Sequence, residues 1–185
     1  EDKAIRYRVF IKNGSYIFDT NGTTVGGDGQ NYPDPRSYLK APNTSFIGES
    51  MEGVTITNIT PDATWNNGFG QACPLEGIGS GDVLIIESAA TDSYFQDLTI
   101  KSSMGDAHGR DIALQDKSNH TIFKNACLWA YQDTYVSRGG RYYFEGGRVL
   151  DHDNELTSDW GEYNPTTHEA VFNYNVRLVN PAPPA

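Results

Sequence analysis

The 185-residue chain has a formal net charge of -10, with 24 Asp and Glu residues against 14 Lys and Arg residues. An acidic surface repels the phosphates of nucleic acids and the anionic headgroups of membranes, so we expect neither as a partner. The sequence contains no apolar run close to the about 20 residues that a membrane-spanning helix needs. Its length suits one domain, residues 1–185, with a sizeable core.

The composition favours β-strands and turns over helices. Nineteen Gly, nine Pro and eleven Tyr residues are present, and no long stretch places apolar residues at helical spacing. Seven short strand-like runs are predicted in chain order, at residues 7–12, 44–48, 53–60, 82–88, 94–103, 120–131 and 141–149.

Other stretches depart from this rhythm. Residues 15–43 and 61–81 are rich in turn residues and are predicted to be long loops. Beyond residue 150 the strand pattern stops until EAVFNYNVRLV at 169–179, and the chain ends in a linker-like PAPPA. The first residues, EDKAIRYRVF, lack the apolar core of a secretory signal peptide. We therefore expect any export signal to have been removed or to lie outside this sequence.

Three of the predicted strands look like copies of one unit. They begin at Phe95, Phe123 and Phe144, which are 28 and 21 residues apart, and read FQDLTI, FKNACL and FEGGRV. A unit of this size fits a solenoid of stacked coils, in which each coil adds strands to long parallel sheets. An antiparallel sandwich also has short strands at regular spacing, so periodicity alone leaves both folds open.

Six segments together resemble one enzyme family. They are FIKNGSY (10–16), TSFIGES (44–50), YFQDLTIKSS (94–103), IALQ (112–115), AYQDTY (130–135) and RYYFEGGRV (141–149). Their order and rough spacing are similar to those of the pectin methylesterases, whose fold is a right-handed, single-stranded parallel β-helix. The resemblance runs from about residue 5 to 149, and YQDT with the R-x-x-F strand after it is its most specific part. Residues 150–185 diverge from the family pattern.

The resemblance implies a definite reaction and place of action. Pectin methylesterases hydrolyse the methyl esters of galacturonate units in pectin and release methanol, without a metal or cofactor. One aspartate attacks the ester carbonyl, while a second protonates the departing methanol and then activates water. Glutamine amides stabilise the oxyanion, and an arginine holds the nucleophile ionised. We therefore expect a secreted or periplasmic monomer that acts on pectin or homogalacturonan.

The same resemblance assigns candidate catalytic residues. Asp133 falls at the general acid/base and Gln132 at an oxyanion donor. A second oxyanion glutamine is expected 22 residues before Gln132, where this sequence has Arg110. A guanidinium can also donate hydrogen bonds to an oxyanion. Burying an amide beside a carboxylate is costly unless they are paired or used, so the alternative is a polar pair that caps a coil.

Three aromatic residues accompany this pair. Trp129, Tyr131 and Tyr135 are candidates for a sugar-binding groove, because aromatic rings stack on the C–H faces of sugars. If residues 129–135 form one strand, these rings share a face with Asp133. Packing inside a coil is an equally open interpretation.

The nucleophile is not assigned. By spacing it falls on Asn154, which has no carboxylate, and the neighbouring Asp153 would point to the opposite face of a strand. The family's L-G-R-P-W segment, with its arginine and stacking tryptophan, is absent, whereas residues 160–164 resemble its closing stretch. Either an interior segment is missing from this sequence, or the chain is a shortened relative without catalysis. The first is favoured, because losing interior coils would expose a solenoid's core.

Two other functions fit part of the pattern. A non-catalytic pectin-binding β-helix would keep the groove without the nucleophile. A calcium-dependent polysaccharide lyase would use Asp151, Asp153 and Asp159 as ligands, but no basic residue is placed to abstract the proton α to the carboxylate. The four histidines lack zinc-site spacing, and no G-x-S-x-G serine esterase motif occurs.

Overall fold

A computed structural model describes residues 5–17, 23–25, 31–33, 36–58, 82–102, 112–130, 134–150, 162–164, 169–171 and 176–179. The strands are, in chain order, β1 (Tyr7–Ile11), β2 (Gly14–Ile17), β3 (Thr23–Val25), β4 (Asn31–Pro33), β5 (Ser37–Leu39), β6 (Thr44–Gly48), β7 (Val54–Thr57), β8 (Leu84–Ile86), β9 (Tyr94–Lys101), β10 (Leu114–Asp116), β11 (Thr121–Trp129), β12 (Tyr135–Ser137), β13 (Arg141–Leu150), β14 (Glu162–Asn164), β15 (Glu169–Val171) and β16 (Val176–Val179). These ranges contain no helix, so the all-β prediction is confirmed for them. Within them, nothing has the length and apolar character of a membrane-crossing helix.

Two sheets of parallel strands alternate along the chain. The larger sheet contains β1, β6, β9, β11 and β13 in that order, and the smaller contains β5, β8, β10 and β12. The pairs β8–β9, β10–β11 and β12–β13 are three successive repeat units, each of which adds one strand to each sheet. Parallel pairing between successive units is what stacked coils predict, and it argues against the antiparallel sandwich.

A ladder of phenylalanine rings fixes the register of the larger sheet. Phe95 pairs with Phe123 and Phe123 with Phe144, so the three equivalent residues of the repeat are in register, and Phe46 of β6 pairs with Phe95 as a fourth member. The ring centroids are 5.3, 5.4 and 4.6 Å apart along the ladder. All four side chains are buried, so the repeated Phe residues are the centre of the core.

A second buried row runs parallel to the rings. Ile56 pairs with Ile100, Ile100 with Leu128, and Leu128 with Val149. Their side chains lie on the inner face of the sheet and are buried. Because strand side chains alternate between faces, the residues that follow them point outward.

Each long strand bends between these two rows. Asp97 of β9, Asn125 of β11 and Gly146 of β13 occupy equivalent positions and have φ angles of 51°, 46° and 65°. Asp, Asn and Gly are the residue types that tolerate this left-handed conformation best. The preceding strands β6 and β7 both pair with β9. The turn at residues 49–53, which separates them, stands where the longer strands bend.

Several predicted boundaries need correction. The predicted loop at residues 15–43 contains β3, β4, β5 and most of β2, because its turn residues separate short strands. The run at 169–179 forms two strands, β15 and β16, which pair antiparallel with β13 and cover its outer edge. The predicted loop at 61–81 lies outside the described residues.

Candidate active site

Three neighbouring strands of the larger sheet end side by side. The last residues of β9, β11 and β13 are Lys101, Trp129 and Leu150, and Trp129 pairs with both of the others. The segments that follow these strands contain the candidate residues Arg110, Gln132, Asp133, Asp151 and Asn154. All five lie outside the described residues. The topology nevertheless brings the beginnings of these three segments to one end of the sheet.

The single strand expected over residues 129–135 is not formed. Strand β11 ends at Trp129, and Tyr135 begins β12 in the smaller sheet, so these two aromatic residues do not share one strand face. In the sequence, Gln132 and Asp133 stand between the end of β11 and the start of β12. Alternating aromatic residues resemble a strand locally, but pairing with other repeat units decides which sheet each residue joins.

Both ends of this connection are held on the end of β13. The hydroxyl of Thr134, which is buried, donates to the carbonyl of Leu150 at 2.9 Å and lies 3.3 Å from the carbonyl of Ala130. The Leu150 carbonyl also accepts from the Ala130 amide at 3.4 Å. On the other side, the Leu114 amide donates to the Thr134 carbonyl at 3.1 Å. The residues flanking Gln132 and Asp133 are thus fixed by hydrogen bonds.

Tyr135 lies against the aromatic core. Its ring makes edge contacts with Phe123 and Phe144, at centroid distances of 5.8 and 5.3 Å. Its hydroxyl donates to Oδ2 of the buried Asp116 at 3.2 Å. Desolvation, reinforced by the Asp116 carboxylate, raises the pKa of the Tyr135 hydroxyl above its ordinary value of 10.0. These contacts favour the interpretation that Tyr135 packs inside a coil. Tyr131 lies outside the described residues.

Asp116 is a satisfied buried carboxylate. It accepts hydrogen bonds from the backbone amide and the hydroxyl of Ser118, at 2.9 and 2.8 Å, in addition to the Tyr135 hydroxyl. The Ser118 hydroxyl is 2.8 Å from that of Thr121. Because its partners are all supplied by neighbouring strands and turns, this network joins the two sheets and needs no ligand to complete it.

Trp129 and Lys101 form a pair on the outer face, at the ends of the strands that precede two of the candidate catalytic segments in the sequence. Both side chains are half-buried, whereas the preceding Leu128 and Ile100 are fully buried on the inner face. The Lys101 Nζ lies 3.6 Å from the centroid of the Trp129 ring, a close cation–π contact. Lys101 was not predicted as a site residue. The repeat contained the signal, since Lys101 and Trp129 each follow the phenylalanine of their unit by six residues.

The adjacent row of outward-facing residues is covered by the turn at residues 49–53. Thr99 donates its hydroxyl to the Met51 carbonyl at 2.7 Å, and Glu52 lies 3.9 Å from the Arg148 guanidinium. Cys127 is buried in the same row. The turn therefore covers the row that contains Thr99, Cys127 and Arg148. The Lys101–Trp129 pair lies next to this row.

Other possible sites are less developed in the part of the chain that the structure describes. A cavity of about 250 Å³ lies at the opposite end of β11 and β13, lined by His120, Thr121, Ile122, Arg141, Tyr142 and Tyr143. Within that part, no three His, Cys, Asp or Glu side chains are close enough to hold a metal ion. The candidate calcium ligands Asp151, Asp153 and Asp159 lie outside it.

Comparisons with known proteins show that the chain is similar to pectin methylesterases. The chain is 25% identical over 139 residues to an Arabidopsis thaliana protein named "Putative pectinesterase/pectinesterase inhibitor 38", a match that covers 75% of this chain and 24% of that protein. Pectin methylesterase PemA from Erwinia chrysanthemi matches with a TM-score of 0.58 and 20% identity, over 82% of this chain and 42% of that one. The pectin methylesterase of Yersinia enterocolitica gives 0.57 and 19%, over 82% and 46%.

A further solved structure, a pectin methylesterase in complex with a hexasaccharide, matches with a TM-score of 0.54 and 18% identity, over 86% of this chain and 51% of that one. The chain thus spans about half, or less, of the length of these proteins. The sequence pattern of the OstA-like protein family also matches, at residues 111–183, which is under half of the chain. The pectin methylesterase likeness covers more of the chain, and the resemblance seen in the sequence is confirmed.

Proposed function

We propose that this chain is a pectin methylesterase-like hydrolase, which removes methyl esters from the galacturonate units of pectin and releases methanol. We propose also that its two parallel sheets are part of a right-handed parallel β-helix. The main support is the set of in-register strand ends at Lys101, Trp129 and Leu150, each followed in sequence by a segment with candidate catalytic residues. The likeness to solved pectin methylesterases supports only the fold. The proposed reaction is argued from the candidate site residues.

The proposed roles follow the resemblance. Asp133 would protonate the departing methanol and then activate water, and Gln132 would donate a hydrogen bond to the oxyanion. Arg110 would be a second oxyanion donor. Trp129 and Tyr131 would contact the sugar, whereas the core contacts of Tyr135 suit a residue that supports the groove from within.

The proposed substrate class is supported by a solved relative. A pectin methylesterase has been solved with a hexasaccharide bound, which supports a polysaccharide as the substrate class. Pectin is a polymer too large to enter a cell intact, so we propose that the protein acts as a secreted or periplasmic monomer.

One residue favours a second function. Asn154 stands where spacing would put the nucleophilic aspartate, and an amide cannot replace a carboxylate in that role. A β-helix with the groove but without a nucleophile would bind pectin and leave its esters intact. If the chain is an esterase, its nucleophile is still to be identified, and Asp151 is a nearby carboxylate to test.

Methanol release from highly methylated pectin tests the proposal. The unmodified protein should release methanol, Asp133→Asn should not, and Asp92→Asn, a change at a half-buried aspartate before β9, should behave as the unmodified protein does. Circular dichroism and a pectin-binding assay on the same samples show whether each variant is folded. Binding without methanol release from the unmodified protein would select the non-catalytic function, and neither binding nor release would refute both.

A further inference from the structure

A cavity lies on the outer face of the larger sheet, at the end opposite to Trp129 and Leu150. Its volume is about 250 Å³, which suits a single sugar ring better than a larger ligand. It lies between the first residues of β11 and β13 and is lined by His120, Thr121, Ile122, Arg141, Tyr142 and Tyr143. Strand β16 pairs with the other edge of β13, so it does not lie between the two strands that form the cavity.

Two outward-facing side chains give the cavity an apolar wall. Ile122 and Tyr143 are partners in the pairing of β11 with β13. The residues that follow them, Phe123 and Phe144, are buried on the inner face, so Ile122 and Tyr143 point outward. Ile122 is 38% exposed and Tyr143 is half-buried. An aliphatic side chain beside a tyrosine is a surface on which the C–H face of a sugar ring can pack.

Two polar side chains at the same cavity are oriented by neighbouring residues. Nδ1 of His120 lies 3.3 Å from Oδ1 of Asp92, a contact that fixes the imidazole and directs Nε2 elsewhere. The Nε of Arg141 donates to Oδ1 of Asn119 at 3.4 Å, and the Arg141 backbone amide donates to the same oxygen at 2.9 Å. The Nε–H is one of several N–H donors of a guanidinium. Hydrogen-bonding groups that are held in place lose less entropy when a ligand binds.

We propose that this cavity binds one sugar ring of pectin, outside the candidate active site; this inference rests on the proposed function. The C–H face of the ring packs on Ile122 and Tyr143. Its hydroxyl groups bond to Nε2 of His120 and to the Arg141 guanidinium. Every galacturonate unit has these hydroxyls and this C–H face, so methylated and de-esterified units both fit.

A second contact changes how a polymer binds. The cavity lies at the start of β11, and the strand of nine residues, Thr121–Trp129, extends about 30 Å from there. A pectin chain long enough to reach both the cavity and the candidate active site binds the second one intramolecularly, at a high effective concentration. A short oligomer occupies one site at a time. The cavity therefore raises the affinity for long pectin more than the affinity for short oligomers.

Calorimetric titration with long, highly methylated pectin tests the inference, in an Asp133→Asn background that should preserve the esters. Ile122→Trp fills the cavity and Tyr143→Ala removes its ring, so each should weaken binding about tenfold. Tyr143→Phe keeps the ring and should bind nearly as well as the background protein. Lys124→Met is the matched control, because it lies two residues beyond Ile122 on the same face but does not line the cavity. It should bind normally.

A polar variant and a short ligand sharpen the result. His120→Asn removes the imidazole but keeps a residue type that tolerates the left-handed φ of 64°, and it should weaken binding severalfold. Equal pectin affinities with and without Ile122→Trp would overturn the inference, as would an equal loss for a methylated trisaccharide. A gain in affinity on removal of residues 180–185 would also overturn it, because that segment would then be the occupant of the cavity.

Methanol release by the protein with Asp133 intact separates the two proposals. Release, with a pectin affinity that does not depend on Ile122 or Tyr143, would refute this inference and keep the esterase. Pectin binding that depends on these two residues, without any methanol release, would keep the sugar site and refute the esterase. Circular dichroism on each variant shows that a loss of binding is not a loss of fold.

Discussion

The side-chain amide of Asn125 donates a 2.7 Å hydrogen bond to Oδ1 of Asp97, the residue at the same position in the neighbouring repeat unit. Both residues have left-handed φ angles, so the bond joins the two bends directly. The equivalent residue of the next unit, Gly146, makes the bend without a side chain. Beyond the bends, the strands continue to Lys101 and Trp129, and the alignment of the bends therefore helps to align the candidate site.

Substitutions at Asn125 should separate the hydrogen bond from the backbone conformation. Asn125→Gly removes only the bond and should lower the free energy of unfolding by about 0.5–1.5 kcal/mol. Asn125→Ala also puts at a left-handed φ a residue that tolerates this conformation less well than Asn or Gly, and it should cost about 1 kcal/mol more. Urea denaturation measures both. If the glycine variant is the less stable of the two, the left-handed conformation is not what selects asparagine here.

The ring ladder should account for a large share of the stability. Phe123 lies between Phe95 and Phe144, and Phe123→Ala should lower the free energy of unfolding by about 3–5 kcal/mol because it leaves a cavity in the core. Ile122 is the matched control, since it is adjacent in sequence but 38% exposed on the outer face. Ile122→Ala should cost much less. Similar losses for the two variants would show that the ladder is not the centre of the core.

The repeat in the sequence identified equivalent residues, and once the coils are stacked in parallel this equivalence specifies the register of the core. In a parallel stack, equivalent large side chains fill the same interior column, so the spacing of Phe95, Phe123 and Phe144 specifies which residues pair. Phe46 was missed for a physical reason. The turn at residues 49–53 interrupts its strand, so its unit does not show the continuous pattern of the other three.

The candidate site was less predictable, because it depends on contacts between distant parts of the chain. No local pattern shows that the chain changes sheets between Trp129 and Tyr135, since that is decided by pairing with other repeat units. Lys101 could have been found by extending the Phe95–Phe123 alignment by six residues. The roles of Gln132 and Asp133 come from family resemblance and stay predictions.

Thr134 should affect activity indirectly, because its hydroxyl holds the chain next to Asp133 on the end of β13. Thr134→Val keeps the size and branching but removes the hydroxyl that donates to the Leu150 carbonyl, which frees one end of the Gln132–Asp133 segment. We expect kcat for methanol release to fall about 10- to 100-fold, because small displacements of catalytic groups are costly. Thr134→Ser keeps the hydroxyl and should retain most of the activity. Equal losses in both variants would point to packing of the methyl group instead.

Tyr135 should make stability depend on alkaline pH. Its pKa is raised in the folded protein, so the unfolded chain loses this proton at a lower pH than the folded chain does. Stability is unaffected below about pH 10 and falls as the pH rises further. Tyr135→Phe should lose about 1 kcal/mol at neutral pH, with the hydrogen bond to Asp116, but should then show a shallower decline. Urea midpoints across this range measure the slopes.

Two results would contradict this account of Tyr135. Parallel pH slopes for the unmodified protein and Tyr135→Phe would mean that the hydroxyl ionises as readily in the folded state. A large rise in KM for pectin in Tyr135→Phe, at unchanged stability, would mean that the hydroxyl contacts the sugar and does not serve the core.

Gln132 can be tested as an oxyanion donor by separating kcat from KM. An amide that binds the developing negative charge acts mainly in the transition state, so Gln132→Ala should lower kcat about 10²- to 10³-fold and change KM little. Gln96→Ala is the control, because this glutamine bonds Tyr94 and Asp97 within β9 and has no proposed catalytic role. Initial rates of methanol release over a range of pectin concentrations give both constants. A change confined to KM would assign Gln132 to substrate binding and leave the oxyanion to another donor, with Arg110 the next residue to substitute.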